Sequence, residues 1–437
     1  MEINKLLDYL YNLKSLGTKF GLETITNLLN TLNNPQQKFK TIHVAGTNGK
    51  GSTSAILASI LEEAGFKTGL YTSPHLVNFN ERIQINGQKI SNLEIIKLTE
   101  LIKNEADKVN LNPTFFEFTT TMAFYYFAQN NVDFAIIEVG CGGRLDATNV
   151  LESLVSVITP IGKDHTHWLG DTLLKIAKEK AGIIKENGLV VTSEKNKTVL
   201  NLFKSICNER KAELFIVNDL ISNFTHTNNS GSCPIGKQIF TTSGIIKDEF
   251  KIKLLGEHQI NNALTAILTI KKLEKRGIKI PLQIIKKGLE KARWPGRLEV
   301  IHNKPLVIVD GAHNIAGFRA LKMFLTNLFL SDFLKNKKIL VLGFSKDKEI
   351  SKMISMIVPF FDQIIITQGN FKPADVFLIR KKVLKYNQNV SCLPSVKDAL
   401  KEVASLAGND DFILITGSLY LVGDILKYRT YFSKLFK

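Results

Sequence analysis

The segment Gly46-Thr47-Asn48-Gly49-Lys50-Gly51-Ser52 combines the residue types that hold a polyphosphate. It lies between an apolar run, Thr41-Ile42-His43-Val44, and a helical pattern from Ser54 to Gly65. A strand, a Gly-rich turn and a helix start bring backbone N–H groups and the positive end of a helix to one point. Lys50 can then reach the β/γ-phosphates, and the Ser52 hydroxyl is placed for Mg²⁺. The spacing departs from the common G-x-x-x-x-G-K-[ST] pattern, because Val44 stands where the first glycine falls and Gly51 separates Lys50 from Ser52. A ligand-free βα turn is the alternative, but a lysine and a serine at the helix mouth favour ATP.

Other chemistry-bearing residues follow strand-like runs. Glu138 ends one and leads into Gly140-Cys141-Gly142-Gly143-Arg144-Leu145-Asp146. A carboxylate there suits Mg²⁺, and a half-buried structural Glu is the alternative. Asp164-His165 follows the next run, where an imidazole is either structural or a ligand, although Mg²⁺ prefers oxygen. Lys180 lies in an amphipathic pattern and reads by default as solvated. Gln259, Asn261 and Asn262 open a helix, where their amides could meet an adenine edge or cap the helix. Asp310-Gly311-Ala312-His313-Asn314 could offer a carboxylate and an imidazole across a cleft. Gly417-Ser418-Leu419 reads equally as a ligand turn or a plain βα connection.

Alternating elements must position these residues. Strands are predicted at Thr41–Ala45, Lys67–Tyr71, Phe134–Val139, Val155–Thr159, Leu189–Thr192 and Glu213–Val217, then at Leu306–Val309, Ile339–Leu342, Gln363–Thr367 and Phe412–Thr416. Helices are predicted between them at Leu173–Lys185, Asn261–Lys272 and Gly317–Leu328. The alternation predicts an α/β protein with mostly parallel sheets and ligands beyond the strands' carboxyl ends. A break at Arg293-Trp294-Pro295-Gly296-Arg297 divides residues 1–297 from 298–437. Ser222–Ser232 reads as a loop in a β-rich excursion of the first domain.

At 437 residues, two or three domains are expected. The net charge of +17 raises nucleic-acid binding, but the lysine runs are short, scattered and not interleaved with aromatics, so they read as solvated surface. Cys141, Cys207, Cys233 and Cys392 include no C-x-x-C pair, which excludes a zinc ribbon and argues against a disulfide scaffold. Cys141, beside glycines, reads as a small filler. Met1–Leu7 has no basic lead into an apolar stretch, and no run approaches the ~20 apolar residues of a membrane helix. A cytoplasmic monomer without membrane or nucleic-acid partners is expected.

The ordered motifs resemble the Mur-type ATP-dependent amide ligases, specifically folylpolyglutamate synthase and dihydrofolate synthase. They run from Phe20-Gly21-Leu22-Glu23 through the Gly46–Ser52 loop, Ser73-Pro74-His75-Leu76 and Glu81-Arg82-Ile83. They continue through Gly142–Asn149, Asp164-His165, Glu179-Lys180-Ala181-Gly182, Trp294–Glu299, Asp310–Asn314 and Thr416–Tyr420. Cys141 and Ile315 stand where the family usually has Leu and Pro; neither change removes a charge. The resemblance implies an N-terminal P-loop ATPase domain, a smaller Rossmann-like C-terminal domain, and catalysis between them.

By that resemblance, Gly46, Thr47, Asn48, Gly49, Lys50, Gly51 and Ser52 hold ATP, with Asn262, Arg297 and Asp310 also on the nucleotide. Ser52 and Glu138 ligate one Mg²⁺, and His165 helps hold a second. Lys180 matches a lysine carbamylated by CO₂, and His313 lies beside the nucleotide. Lys50, Lys180, His313 and Arg297 are the expected catalytic groups. Ser73, Pro74, His75, Arg82, Arg144 and Asp146 are expected at the substrate, which is dihydropteroate or a folate, joined to L-glutamate. A nucleic-acid-dependent ATPase, a cell-wall Mur ligase and an ATP-binding regulatory module are the rival readings. Gly51 and Trp294–Glu299 favour the folate branch, and the dual activity is favoured over either one alone.

Overall fold

The computed structural model describes residues 3–13, 21–220, 225–227, 235–330, 336–346 and 348–436. The first sheet contains β1 (Lys40–Ala45), β2 (Thr68–Tyr71), β3 (Ile83–Ile85), β4 (Gln88–Lys89), β5 (Phe134–Glu138), β6 (Val155–Ile158), β7 (Leu189–Thr192) and β8 (Glu213–Ile216). Its order is β4-β3-β2-β5-β1-β6-β7-β8, parallel from β2 to β8, with β3 and β4 antiparallel at the edge. Side chains alternate between its faces, as the pleat requires. Phe134 and Ile136 of β5 meet the layer built on helices Lys50–Glu63 and Glu257–Lys272, whereas Ala135 and Ile137 meet the layer built on Asn92–Lys108 and Phe115–Gln129. Both faces are dry, so these strands read as continuous apolar runs.

A small antiparallel sheet follows, comprising β9 (Thr225–Thr227), β10 (Gln238–Thr242) and β11 (Asp248–Ile252). The β-rich excursion is therefore present. Thr225–Thr227, read as loop from its polar composition, is instead paired with β10, while the rest of Ser222–Ser232 other than that strand lies outside the described residues, as does Phe20.

The third sheet holds β12 (Glu299–Asn303), β13 (Leu306–Asp310), β14 (Lys338–Leu342), β15 (Gln363–Ile366), β16 (Val390–Cys392) and β17 (Phe412–Thr416). Its order is β12-β13-β17-β14-β15-β16, parallel except for β12, and it has one apolar layer on each face. The predicted strands agree to within a residue at each end. Short or polar strands, β3, β4, β10, β11, β12 and β16, gave no apolar signal.

The helix predicted at Gly317–Leu328 runs two residues further at each end, Ile315–Leu330, and the other two differ at one end each. The one predicted to reach Lys185 stops at Ala181, and its C-cap Gly182 packs against the backbone of Arg144, where a Cβ would lie 2.5 Å from the Arg144 Cα. The helix predicted from Asn261 begins at Glu257 and is capped by Gly256. The amides of Gln259 and Asn262 thus lie within the helix and do not cap it.

The two large sheets point their carboxyl ends at one cleft. Val44 pairs with Glu138 and Ala45 with Ile158, so the loops after β1, β5 and β6 leave one edge together. Opposite them, Asp310, Leu342 and Thr416 end β13, β14 and β17 in register. The segment after β2 joins the halves: Leu76 packs on the C-terminal core, and its carbonyl oxygen lies 2.0 Å from where a Cβ on Gly423 would stand. Backbone cannot yield there, so Gly423→Ala is expected to cost about 1–3 kcal/mol of packing. A lower thermal midpoint with a larger radius of gyration in X-ray scattering checks this.

Candidate active site

The cleft encloses about 690 Å³ and is lined from both halves. On the N-terminal side stands the Gly46–Ser52 turn. Gly49 caps helix Lys50–Glu63 at φ 92°, a left-handed conformation that favours glycine and turns its neighbours' N–H groups into the cleft. The turn is fixed from beside it, where Thr47 Oγ1 donates to the Gly162 carbonyl at 3.0 Å and the Thr47 N–H donates to the Pro160 carbonyl at 3.1 Å.

Lys50 and Glu138 face each other across the turn, Nζ to Oε1, at 4.0 Å. Glu138 is 4 % exposed, and its Oε2 accepts the Ser73 N–H at 3.1 Å. Burial raises its pKa, and the Lys50 charge opposes that rise. Gln259 Nε2 donates to Ser52 Oγ at 3.2 Å, and Asn262 Nδ2 donates to Gln259 Oε1 at 2.9 Å. The amides read from sequence as adenine contacts or caps therefore orient the loop's serine.

Lys180 is not solvated. It is 5 % exposed, and its Nζ donates to the Gly46 carbonyl at 2.9 Å. Burial first, then the Lys50 charge, lowers its pKa to about 7. A substantial fraction of neutral amine is therefore present at physiological pH, which a nucleophilic lysine requires.

The C-terminal side contributes Arg297, Asp310 and His313. Asp310 is spent on main chain, its Oδ2 accepting the Leu298 N–H at 3.0 Å and its Oδ1 the Ala312 N–H at 2.9 Å. These bonds hold the turn that presents Arg297, whose pKa burial lowers while Asp310 and Glu138 oppose the drop.

A polar latch crosses the cleft. Asp164 accepts from Lys348 Nζ at 2.7 Å and Asn314 Nδ2 at 3.2 Å, and His313 Nε2 stands 3.5 Å away. Asn48 and Asn314 exchange amide hydrogen bonds at 3.2 and 2.9 Å. Burial alone would raise the Asp164 carboxyl, but His313 and Lys348 hold it well below the carboxylate range. Lys348 carries no signal in the sequence, being one lysine among many.

The expected residues thus separate into groups. The loop residues, Glu138, His165, Lys180, Asn262, Arg297, Asp310, His313, Ser73 and Pro74 line one cleft. His75 and Arg82 lie behind the cis Ser73–Pro74 peptide, with Arg82 Nε donating to His75 Nδ1 at 2.8 Å and its guanidinium 5.2 Å from the Phe115 ring. Arg144 and Asp146 do not line the cleft. Arg144 is exposed and pairs with Glu179 at 3.0 Å. Asp146 is buried in its own turn, accepting the Cys141 N–H at 2.8 Å and the Thr148 hydroxyl at 2.5 Å. His43 continues that chain, with Nε2 2.8 Å from Thr148 Oγ1. Burial, then Lys185, pushes its imidazole down to about 3, so it braces the turn as a neutral group.

Comparison with known proteins gives one consistent picture. Residues 44–270 match the Mur ligase middle domain, and residues 296–419 match the Mur ligase glutamate ligase domain. The chain is 37% identical to a dihydrofolate synthase/folylpolyglutamate synthase of Bacillus subtilis (strain 168), over 94% of this chain and 95% of that one. It resembles Mycobacterium tuberculosis folylpolyglutamate synthase complexed with ADP and AMPPCP, with a TM-score of 0.86, 30% identity and 99% of each chain covered. It also resembles E. coli FolC in complex with DHPP and ADP, with a TM-score of 0.83, 28% identity and 98% of each chain covered.

Proposed function

We propose, for a chain that belongs to the folylpolyglutamate synthase/dihydrofolate synthase family of Mur-type ligases, that its cleft joins L-glutamate to a pterin-bearing carboxylic acid at the expense of ATP. It is an ATP-dependent amide ligase. The observation that carries the acceptor and donor assignment is the convergence of a phosphate turn, a buried carboxylate and a buried lysine opposite Arg297 and His313 of the other domain.

A carboxylate resists amines because its oxide is a poor leaving group. One carboxylate oxygen of the acceptor attacks the γ-phosphorus, and ADP leaves. The resulting acyl phosphate is then attacked at carbon by the glutamate amine, which loses a proton, and phosphate departs from the tetrahedral intermediate. The residues position the partners and offset their charge. Loop N–H groups and Lys50 hold the triphosphate, and Arg297 reaches it from the other domain. Asn262 and Asp310 act near the nucleotide through Ser52 and the Arg297 turn.

Mg²⁺, when bound, offsets the charge of the triphosphate and the acceptor. The donors suit it: Ser52 and the buried Glu138, whose Oε1 has Lys50 only at 4.0 Å, supply oxygen for one ion, and His165 a nitrogen for a second. Among the described residues no three His, Cys, Asp or Glu cluster as a metal site, so side chains would supply only part of the ligands of each ion. Lys180 as a carbamate would add an anion beside the loop. Ser73, Pro74, His75 and Arg82 border the pterin side, where Phe115 and Tyr11 present rings near His75 and Arg82. Arg144 and Asp146 brace that side from outside the cleft. The domains divide at Arg297/Leu298, and the protein works as a cytoplasmic monomer without nucleic-acid or membrane partners.

Both acceptors, dihydropteroate and the glutamate tail of tetrahydrofolates, belong to this reading, supported by the double name of the Bacillus relative. Purified protein with ATP, Mg²⁺ and labelled glutamate is expected to release ADP and form a labelled amide with each acceptor. Turnover with only one makes the enzyme monofunctional, and turnover with neither overturns the proposal.

A further inference from the structure

Gly51, the residue that breaks the common loop spacing, lies in the first turn of helix Lys50–Glu63 directly beneath Trp294. A Cβ at Gly51 would stand 2.8 Å from both Cζ2 and Nε1 of the indole. Side chains do not pack that closely, so any residue larger than glycine forces the indole and the phosphate loop apart. Glycine is a poor helix former, and its presence in this turn runs against local propensity. The half-buried indole packs on the N-terminal core.

Trp294 also begins the segment that crosses to the C-terminal domain. Only Pro295 and Gly296 separate it from Arg297, and both are held. Proline fixes its own φ, the Gly296 N–H donates to Glu299 Oε2 at 2.8 Å, and the Gly296 carbonyl accepts the Gly311 N–H at 2.8 Å. A short stiff strap thus runs from the phosphate-loop helix to the Arg297 side chain in the cleft.

We infer that Trp294 is a positioning residue: its indole, seated on Gly51, fixes the strap so that Arg297 and the C-terminal domain are registered on the phosphate loop. Gly51 is glycine because it admits that ring. This rests on the reading that Gly46–Ser52 holds the nucleotide phosphates.

The test is a double-mutant cycle read by calorimetric ADP affinity and by kcat and KM for ATP. Gly51→Ala is expected to weaken ADP binding by at least about tenfold through overpacking. Trp294→Ala keeps ADP affinity within about threefold and lowers kcat by on the order of 100-fold with little change in KM, the signature of a misplaced group. Trp294→Phe recovers most of that kcat. The double variant G51A/W294A returns to the ADP affinity of W294A, because the obstacle to the new methyl is gone. Should W294A melt early, Trp294→Leu keeps apolar cover on the core and takes its place with the same expectations. A double variant as weak as G51A, or a W294A loss confined to KM, overturns the inference and leaves the nucleotide assignment standing. Unchanged ADP affinity in G51A also overturns the inference, whereas absence of ADP binding by the unaltered protein overturns the nucleotide assignment.

Discussion

Lys50→Ala and Glu138→Ala are each expected to fold and to lose glutamate-dependent ADP release by about 100- to 1,000-fold. The magnitude follows from the charge each one manages. Removing one preorganised group that stabilises developing charge costs about 3–4 kcal/mol, and the enclosed cleft makes each charge count for more than in water. The two should not be additive, since Nζ and Oε1 lie 4.0 Å apart and both serve the same triphosphate. Lys50→Ala acts chiefly on phosphate. Glu138→Ala also releases the Ser73 N–H, which Oε2 accepts at 3.1 Å, and so loosens the turn on the acceptor side. Initial rates of ADP release, with thermal melts to verify folding, check both, and near-normal turnover in either variant removes that residue from the mechanism.

Lys180→Ala should be inactive and partly restored by a small carboxylate such as acetate or formate. Carbamylation joins the neutral amine to CO₂, forming one N–C bond and releasing one proton. The amine pKa is lowered from 10.5 to about 7 by burial and then by Lys50, so the proton is lost as pH rises through that value. The neutral fraction rises from pH 6 to pH 8. Enzyme stripped of CO₂ should therefore regain activity on adding bicarbonate more completely at pH 8 than at pH 6, with a mass increase of one carbon dioxide. Full activity in Lys180→Ala, or recovery indifferent to pH and to CO₂, removes the carbamate.

The first pair of variants alters the half-buried Lys50 and the buried Glu138, and the second alters the buried Lys180. Lys50 was legible because glycines, a lysine and a serine at a helix mouth form a local pattern whose meaning does not depend on distant residues. Glu138 was legible as the last residue of an apolar run, a position that topology places at the sheet's ligand edge. Lys180 lay in an amphipathic pattern that by itself predicts solvent. Only the packing of its helix end against the loop after β5 turns it inward to the Gly46 carbonyl.

The chain's local chemistry by itself determined the alternation of strands and helices, the Gly-rich turn at a helix start and, through many ordered motifs, the family. Those features depend on neighbours in sequence, which is why they survive without coordinates. Tertiary structure alone decided which groups meet. It set Asp164 against Lys348 and Asn314, paired the exposed Arg144 with Glu179, and laid Trp294 over Gly51. Each of these is a contact between residues far apart in the chain, fixed by how helices and loops pack around the sheets and carried by no local pattern of residues.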